Sequence, residues 1–148
     1  MWSHYACNHF GFCLGFHKKK FLDEYREGSL GLVQYQDFPN VDPVKMKDPV
    51  SYIMQSHIKH PGWGYEEEFR LVKVEAPEPL TDDQRKFTYP DHFLKDITLG
   101  LRIEDDDKAA IIQEGLKKNV PFYQVEKVPL SFQLSRRLLT AEELETYQ

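Results

Sequence analysis

Cysteine is scarce in this chain. Two occur among 148 residues, Cys7 and Cys13, six apart. With no CxxC pair and no partner pair downstream, a zinc ribbon is not indicated. The two thiols are expected to be free, buried or half-buried, in a reducing cytosol. Long apolar runs are missing too. No stretch approaches the roughly 20 residues of a membrane span, and no charged start with an apolar segment behind it marks a signal peptide. The sequence is read as cytoplasmic and without a membrane partner.

Positive charge is also in short supply. Nineteen Lys and Arg stand against 24 Asp and Glu, for a formal charge of -5. That balance gives no general attraction for phosphate backbones or anionic lipid, so nucleic acid is not indicated as a partner. The basic run Lys18-Lys19-Lys20 is followed by Phe21-Leu22 and reads as the polar face of a short helix. No phosphate loop, dinucleotide glycine pattern or nucleophile elbow occurs, and the cofactor stays unknown.

Aromatic residues are abundant, at 14% of the chain with ten Phe and eight Tyr. The length suits one domain spanning residues 1–148 around an aromatic-rich core. Gly11 to Phe16 reads as a buried strand and His17 to Arg26 as a short helix ended by Gly28. Leu30 to Tyr35 reads as a strand closed by a turn at Asp37-Phe38-Pro39-Asn40, and 41–47 as irregular. Asp48-Pro49 gives a helix start, with Val50, Ile53, Met54, His57 and Ile58 at helical spacing. Pro61-Gly62 stops that helix. Residues 75–89, with Pro77 and Pro79, read as an exposed excursion.

Phe93 to Leu101 contains a strand, and Asp105-Asp106-Asp107 opens a helix with Ala109, Ile112 and Leu116 as its stripe. Capping accounts for these aspartates better than a calcium loop, whose glycine and distal glutamate are missing. Phe122 to Val128 and Ser131 to Leu138 alternate as final strands, and Thr140 with Glu143 has capping-box spacing for a terminal helix. The order predicts an α+β fold: a single domain with a mixed, mainly antiparallel sheet of about five or six strands and two to four helices.

The stretch with most chemical content is Trp63 to Val74, WGYEEEFRLVKV. Read as a strand, it puts Glu66, Glu68 and Arg70 on one face and Tyr65, Glu67, Phe69 and Leu71 on the other, a core face. Two carboxylates about 7 Å apart on a strand raise one another's pKa unless a cation such as Arg70 lies between them. A raised carboxylate serves as a general acid or base, and a pair can hold a divalent metal. Against this stands an Arg-Glu ladder on a solvated or subunit-facing surface.

A second cluster, Ser3, His4, Tyr5, Cys7 and His9, opens the chain. His4 and His9 are five apart, which fits neither a helix face nor a strand face, so no metal site is assigned. Cys7 shows no sign of activation.

Four blocks together carry a family resemblance. MWSHYACNHFGFCLGF, VQYQDFPN, WGYEEEFR and ITLGLRIEDDDKAAI resemble, in that order, the blocks of the bacterial domain-of-unknown-function family numbered 2971. Its members read roughly M-W-x-H-Y-x-x-x-H-x-G-x-C-L-G-F, V-x-Y, W-x-Y-E-x-E-[WF]-R and L-G-x-R. The resemblance implies roles for Trp2, His4, Tyr5, His9, Gly11, Tyr35, Trp63, Tyr65, Glu66, Glu68, Arg70, Gly100 and Arg102. Members usually carry an additional half before the first block. A chain beginning at that block is expected to leave a sheet edge near Met1 for a second copy to cover, hence a homodimer.

The family has no established activity, so the resemblance implies a fold neighbourhood in a bacterial, mobile or defence-associated gene pool. The leading expectation is a ligand-binding or protein-interaction module built on the polar face of Glu66, Glu68 and Arg70. The alternative is a nucleotide-handling enzyme. Glu66 and Glu68 are similar to the glutamate motif of NAD-dependent ADP-ribosyltransferases, with Glu68 as acid or base and Arg70, His4 and Tyr5 in the catalytic set. Under either expectation Trp2, His9, Tyr35, Trp63, Tyr65 and Arg102 are the binding residues for a small-molecule or nucleotide ligand. The Ser-Thr-Ser strand of those enzymes is missing here, which leaves a fold-level analogy.

Overall fold

The structure is a computed structural model and describes residues 2–25, 28–37, 48–73, 81–86 and 88–147. The expected turn at residues 38–40, the irregular 41–47 and the proline-bearing 75–80 lie outside the described residues. The chain falls into two compact units, one formed by Met1–Phe21 and Thr88–Gln148 and the other by Leu22–Phe87.

The first unit is built on a four-stranded sheet. Its strands are β1 (Phe12–Phe16), β6 (Leu94–Leu99), β7 (Phe122–Lys127) and β8 (Leu134–Leu138), in the order β1-β6-β7-β8. The β1·β6 and β7·β8 pairs are antiparallel and β6·β7 is parallel. A parallel neighbour cannot be reached by a tight turn, so α5 (Asp105–Leu116) makes the crossover. Short helices stand at both ends of this unit, α1 (Trp2–Tyr5) and α6 (Ala141–Glu145).

Leu94, Ile97, Leu99, Ile112, Phe122 and Leu139 form the buried core, with Leu99, Ile112 and Phe122 fully enclosed. Alternation puts Ile97, Leu99 and Phe122 toward α5. Gly115 lets the helix come close, because a Cβ there would stand 2.4 Å from the Phe122 ring and 2.6 Å from Ile97 Cδ1. Thr140 and Glu143 form the capping box that their spacing predicts, each side chain meeting the other's backbone N–H.

In the second unit the strands are short. β2 (Ser29–Leu32) pairs antiparallel with β5 (Phe69–Val72), and β3 (Gln34–Tyr35) pairs parallel with β4 (Ile58–Lys59). Helix α3 (Pro49–Ser56) begins at Asp48, whose carboxylate accepts from the Ser51 backbone N–H at 2.9 Å and the Ser51 hydroxyl at 2.7 Å. Helix α2 (Lys18–Glu24) bridges the chain boundary between the units, and α4 (Asp82–Arg85) is a single turn.

Mixed α+β architecture is therefore as expected, while its partition differs. The sheet has four strands, because the predicted strand at 30–35 divides between two small ladders, Ser29–Leu32 with Phe69–Val72 and Gln34–Tyr35 with Ile58–Lys59. The 30–35 run breaks at Val33, whose N–H turns to the Glu68 carbonyl at 3.0 Å. The helical stripe of α3 is only half realised, since Val50 and Met54 are exposed.

Candidate functional site

The stretch from Trp63 to Val74 is not one strand. Pro61 to Glu66 winds into a 3-10 helix, because Pro61 fixes the first turn and the His60 ring accepts from the Gly62 N–H at 3.1 Å. Glu67 then takes a left-handed backbone, φ 46 and ψ 47, and extended structure begins at Phe69. Period-two alternation fails upstream of Phe69, and with it the expected core face. Tyr65 is 59% exposed and Phe69 37%, while Leu71 is half-buried.

The polar residues nonetheless converge. Lys59, at the end of β4, donates to Glu66 Oε2 and, at 3.2 Å, to Glu68 Oε2. Arg70 grips Glu68 from the other side, Nε to Oε1 at 2.5 Å and Nη2 to Oε2 at 2.7 Å, and its Nη1 donates to the Ser56 carbonyl. The Tyr35 hydroxyl accepts from the Glu68 backbone N–H at 2.9 Å. His57 lies against the Ile53 carbonyl at 2.8 Å and the Arg70 carbonyl at 3.3 Å. Lys59 also stands 5.0 Å from the centre of the Trp63 ring, whose neighbour is Tyr65 at 6.1 Å.

Two carboxylates and two cations thus alternate in a part-buried cluster, with the Glu66 side chain 5% exposed. The Arg70 hydrogen bonds, then those of Lys59 and the charges of both cations, hold the Glu68 carboxyl below its ordinary value and outweigh desolvation. Glu68 is ionised at neutral pH and acts as an acceptor rather than a proton donor. The Lys59 ammonium stands between the two glutamates and contacts both carboxylates. Among the described residues no group of three His, Cys, Asp or Glu side chains could hold a metal ion. A cavity of about 410 Å³ opens in the same unit, lined by Gly31, Gln34, Ile53, Met54, His57 and neighbours; Glu66, Glu68 and Arg70 are not in its wall.

The remaining predicted residues fall in the first unit and divide into pairs. Trp2 stacks on His9 with ring centres 5.5 Å apart and planes 10° from parallel. His9 Nδ1 is buried with no partner among the described residues. His4 meets Tyr5 edge-on at 6.5 Å, and both are exposed. The Arg102 guanidinium lies 5.9 Å from the Phe10 ring centre. Backbone bonds tie these segments together: Gly100 N–H to the Gly11 carbonyl and Arg102 N–H to the His9 carbonyl, both 2.9 Å. Cys7 is exposed rather than buried, and it opens a turn in which Cys7, Asn8 and His9 all take positive φ.

Sequence reading missed Lys59, Ser56 and His57. Lys59 ends β4 and Glu66 lies seven residues on in the 3-10 helix that Pro61 opens, so no single-element periodicity joins them and no local signal marks Lys59.

Residues 1–71 match the family model described as "Protein of unknown function (DUF2971)". The matched segment ends just past Arg70, so it holds the whole cluster, while Gly100 and Arg102 lie outside it. No curated protein and no solved structure matches the chain.

Proposed function

From the premise that the chain belongs, through residues 1–71, to the family of proteins of unknown function DUF2971, we propose that it is a binding module acting on a partner protein or ligand. In this reading the charge cluster is scaffold. It locks β4, the 3-10 turn and β5 together and holds the exposed aromatic pair Trp63 and Tyr65 at the surface for contact. Trp and Tyr anchors of this kind carry a large share of interface energy.

The observation that carries the reading is the saturation of Glu68. Its carboxylate takes three side-chain hydrogen bonds from two cations, which leaves it poorly suited to accept or deliver a proton. A general acid needs the opposite environment, with its pKa raised toward neutrality. We extend the reading to a homodimer, with Trp63 and Tyr65 on the contact surface.

The test combines Glu68→Gln with sedimentation and thermal melts. The variant is expected to lose stability or assembly, and Trp63→Ala to lose assembly with its melting temperature kept. A monomeric wild-type protein that melts identically to Glu68→Gln would overturn the proposal. A rise in melting temperature with NAD or a nucleotide, abolished in Glu68→Gln, would favour the nucleotide-handling alternative.

A further inference from the structure

We propose that the open face of the four-stranded sheet binds a small organic carboxylate with an apolar body, held by Arg136. This site belongs to the first unit and does not depend on the Glu68 cluster.

The face follows from register. Cys13 pairs with Thr98, Gly15 with Asp96, Thr98 with Tyr123 and Val125 with Arg136, so these side chains stand together on one side of the sheet. The other side carries Ile97, Leu99 and Phe122 into the core. On the open side lies a cavity of about 300 Å³, walled by Trp2, Cys13, Thr98, Val125, Leu134 and Arg136. That size is at the lower end of small-molecule sites.

Its polar feature is a guanidinium set in place by buried groups. Asp96 is only 4% exposed. It lies over Gly15, where a Cβ would stand 2.4 Å from its Oδ1. Arg136 Nη1 donates to Asp96 Oδ1 at 3.2 Å and to Thr98 Oγ1 at 3.4 Å, and the guanidinium lies 4.2 Å from the centre of the Tyr123 ring. These contacts fix its plane while the side chain stays 47% exposed. Its Nε–H and Nη2 have no acceptor among the described residues.

Charge balance selects an anion. Asp96 is met by two cations, Arg136 and, at 3.9 Å, Lys95, which leaves a surplus of positive charge. A planar fork with unengaged N–H groups suits a carboxylate. The Trp2, Val125 and Leu134 walls suit an apolar body, and Trp2 is already steadied by its stack on His9. Cys13 adds wall and no nucleophile, since burial first and Asp96 second push its thiol up and keep it protonated.

The test is a titration followed by amide and indole NMR shifts, with phenylacetate, phenylacetamide and inorganic phosphate as probes. Phenylacetate is expected to shift the Trp2 indole and the Thr98 and Leu134 amides, with a Kd on the order of 1 mM or tighter. The amide and phosphate should bind at least about tenfold more weakly, the first for want of charge and the second for want of an apolar body. Arg136→Lys keeps the charge beside Asp96 and loses the fork, and Leu134→Glu puts a carboxylate in an exposed wall; each should weaken phenylacetate about tenfold. The proposal is overturned if the folded wild-type protein shows no such shifts, if either control binds equally well, or if Leu134→Glu binds as wild type does.

Discussion

Arg70 holds Glu68 through two parallel donors, Nε to Oε1 at 2.5 Å and Nη2 to Oε2 at 2.7 Å. The two residues are two apart in the chain, and their pairing decides whether the cluster is chemistry or scaffold. Arg70→Gln removes the fork and is expected to cost about 1–3 kcal/mol in urea unfolding. Lys59→Met removes the cation that both glutamates share and should cost about 3 kcal/mol.

The pH dependence of that cost has a definite sign. Glu68 has a folded pKa below its ordinary 4.5, so its contribution is complete above the unfolded value and fades as pH falls through the folded one. The stability gap between wild type and Arg70→Gln should therefore be full at pH 7 and narrow below about pH 4.5. Urea melts at pH 7, 5 and 3.5 check this.

A second carboxylate offers a cleaner titration. Arg137 donates to both Glu143 oxygens at 2.9 Å, and the Thr140 backbone adds a third bond. The Arg137 bonds, then those of Thr140, lower Glu143 from 4.5 to about 2. In a carboxyl NMR titration Arg137→Gln should bring Glu143 back toward 4.5, and the capping box should loosen as it does.

Packing of α5 on the sheet gives a test with two opposed effects. Gly115→Ala gains up to about 1 kcal/mol of helix propensity and drives a methyl to 2.4 Å from the Phe122 ring, an overpacking that costs about 1–3 kcal/mol. Repulsion should win, with a net loss in thermal and urea melts.

Exposure predicts a sharp contrast between two phenylalanines. Phe122 is fully buried and Phe132 fully exposed. Phe122→Ala should cost about 3–5 kcal/mol, and Phe132→Ser should stay within about 0.5 kcal/mol of wild type. Parallel urea melts of the two variants measure it.

What the sequence revealed depended on how local each signal was. The Asp48-Pro49 start and the Thr140-Glu143 capping box rest on contacts within a few residues, and the structure keeps both; the strand expected within Phe93 to Leu101 is kept as well, through pairing with β1 and β7. Trp63 to Val74 misled, because alternation of Glu66, Glu68 and Arg70 looks like a strand face. The first of these residues sits in a 3-10 turn, and left-handed Glu67 resets the register. The three converge all the same, through Lys59 on a separate strand, and pattern cannot show a partner brought in by tertiary pairing. The open-face pocket was equally hidden, since Cys13, Asp96, Val125 and Arg136 come from four strands spread over most of the chain.

The most direct measurement is the titration of the Glu68 carboxyl itself, followed by side-chain carbon shifts in wild type and Arg70→Gln. The scaffold reading predicts a midpoint below the ordinary 4.5 that rises when Arg70 is removed. A Glu68 midpoint raised toward neutrality, unmoved by Arg70→Gln, would contradict it and point to proton transfer.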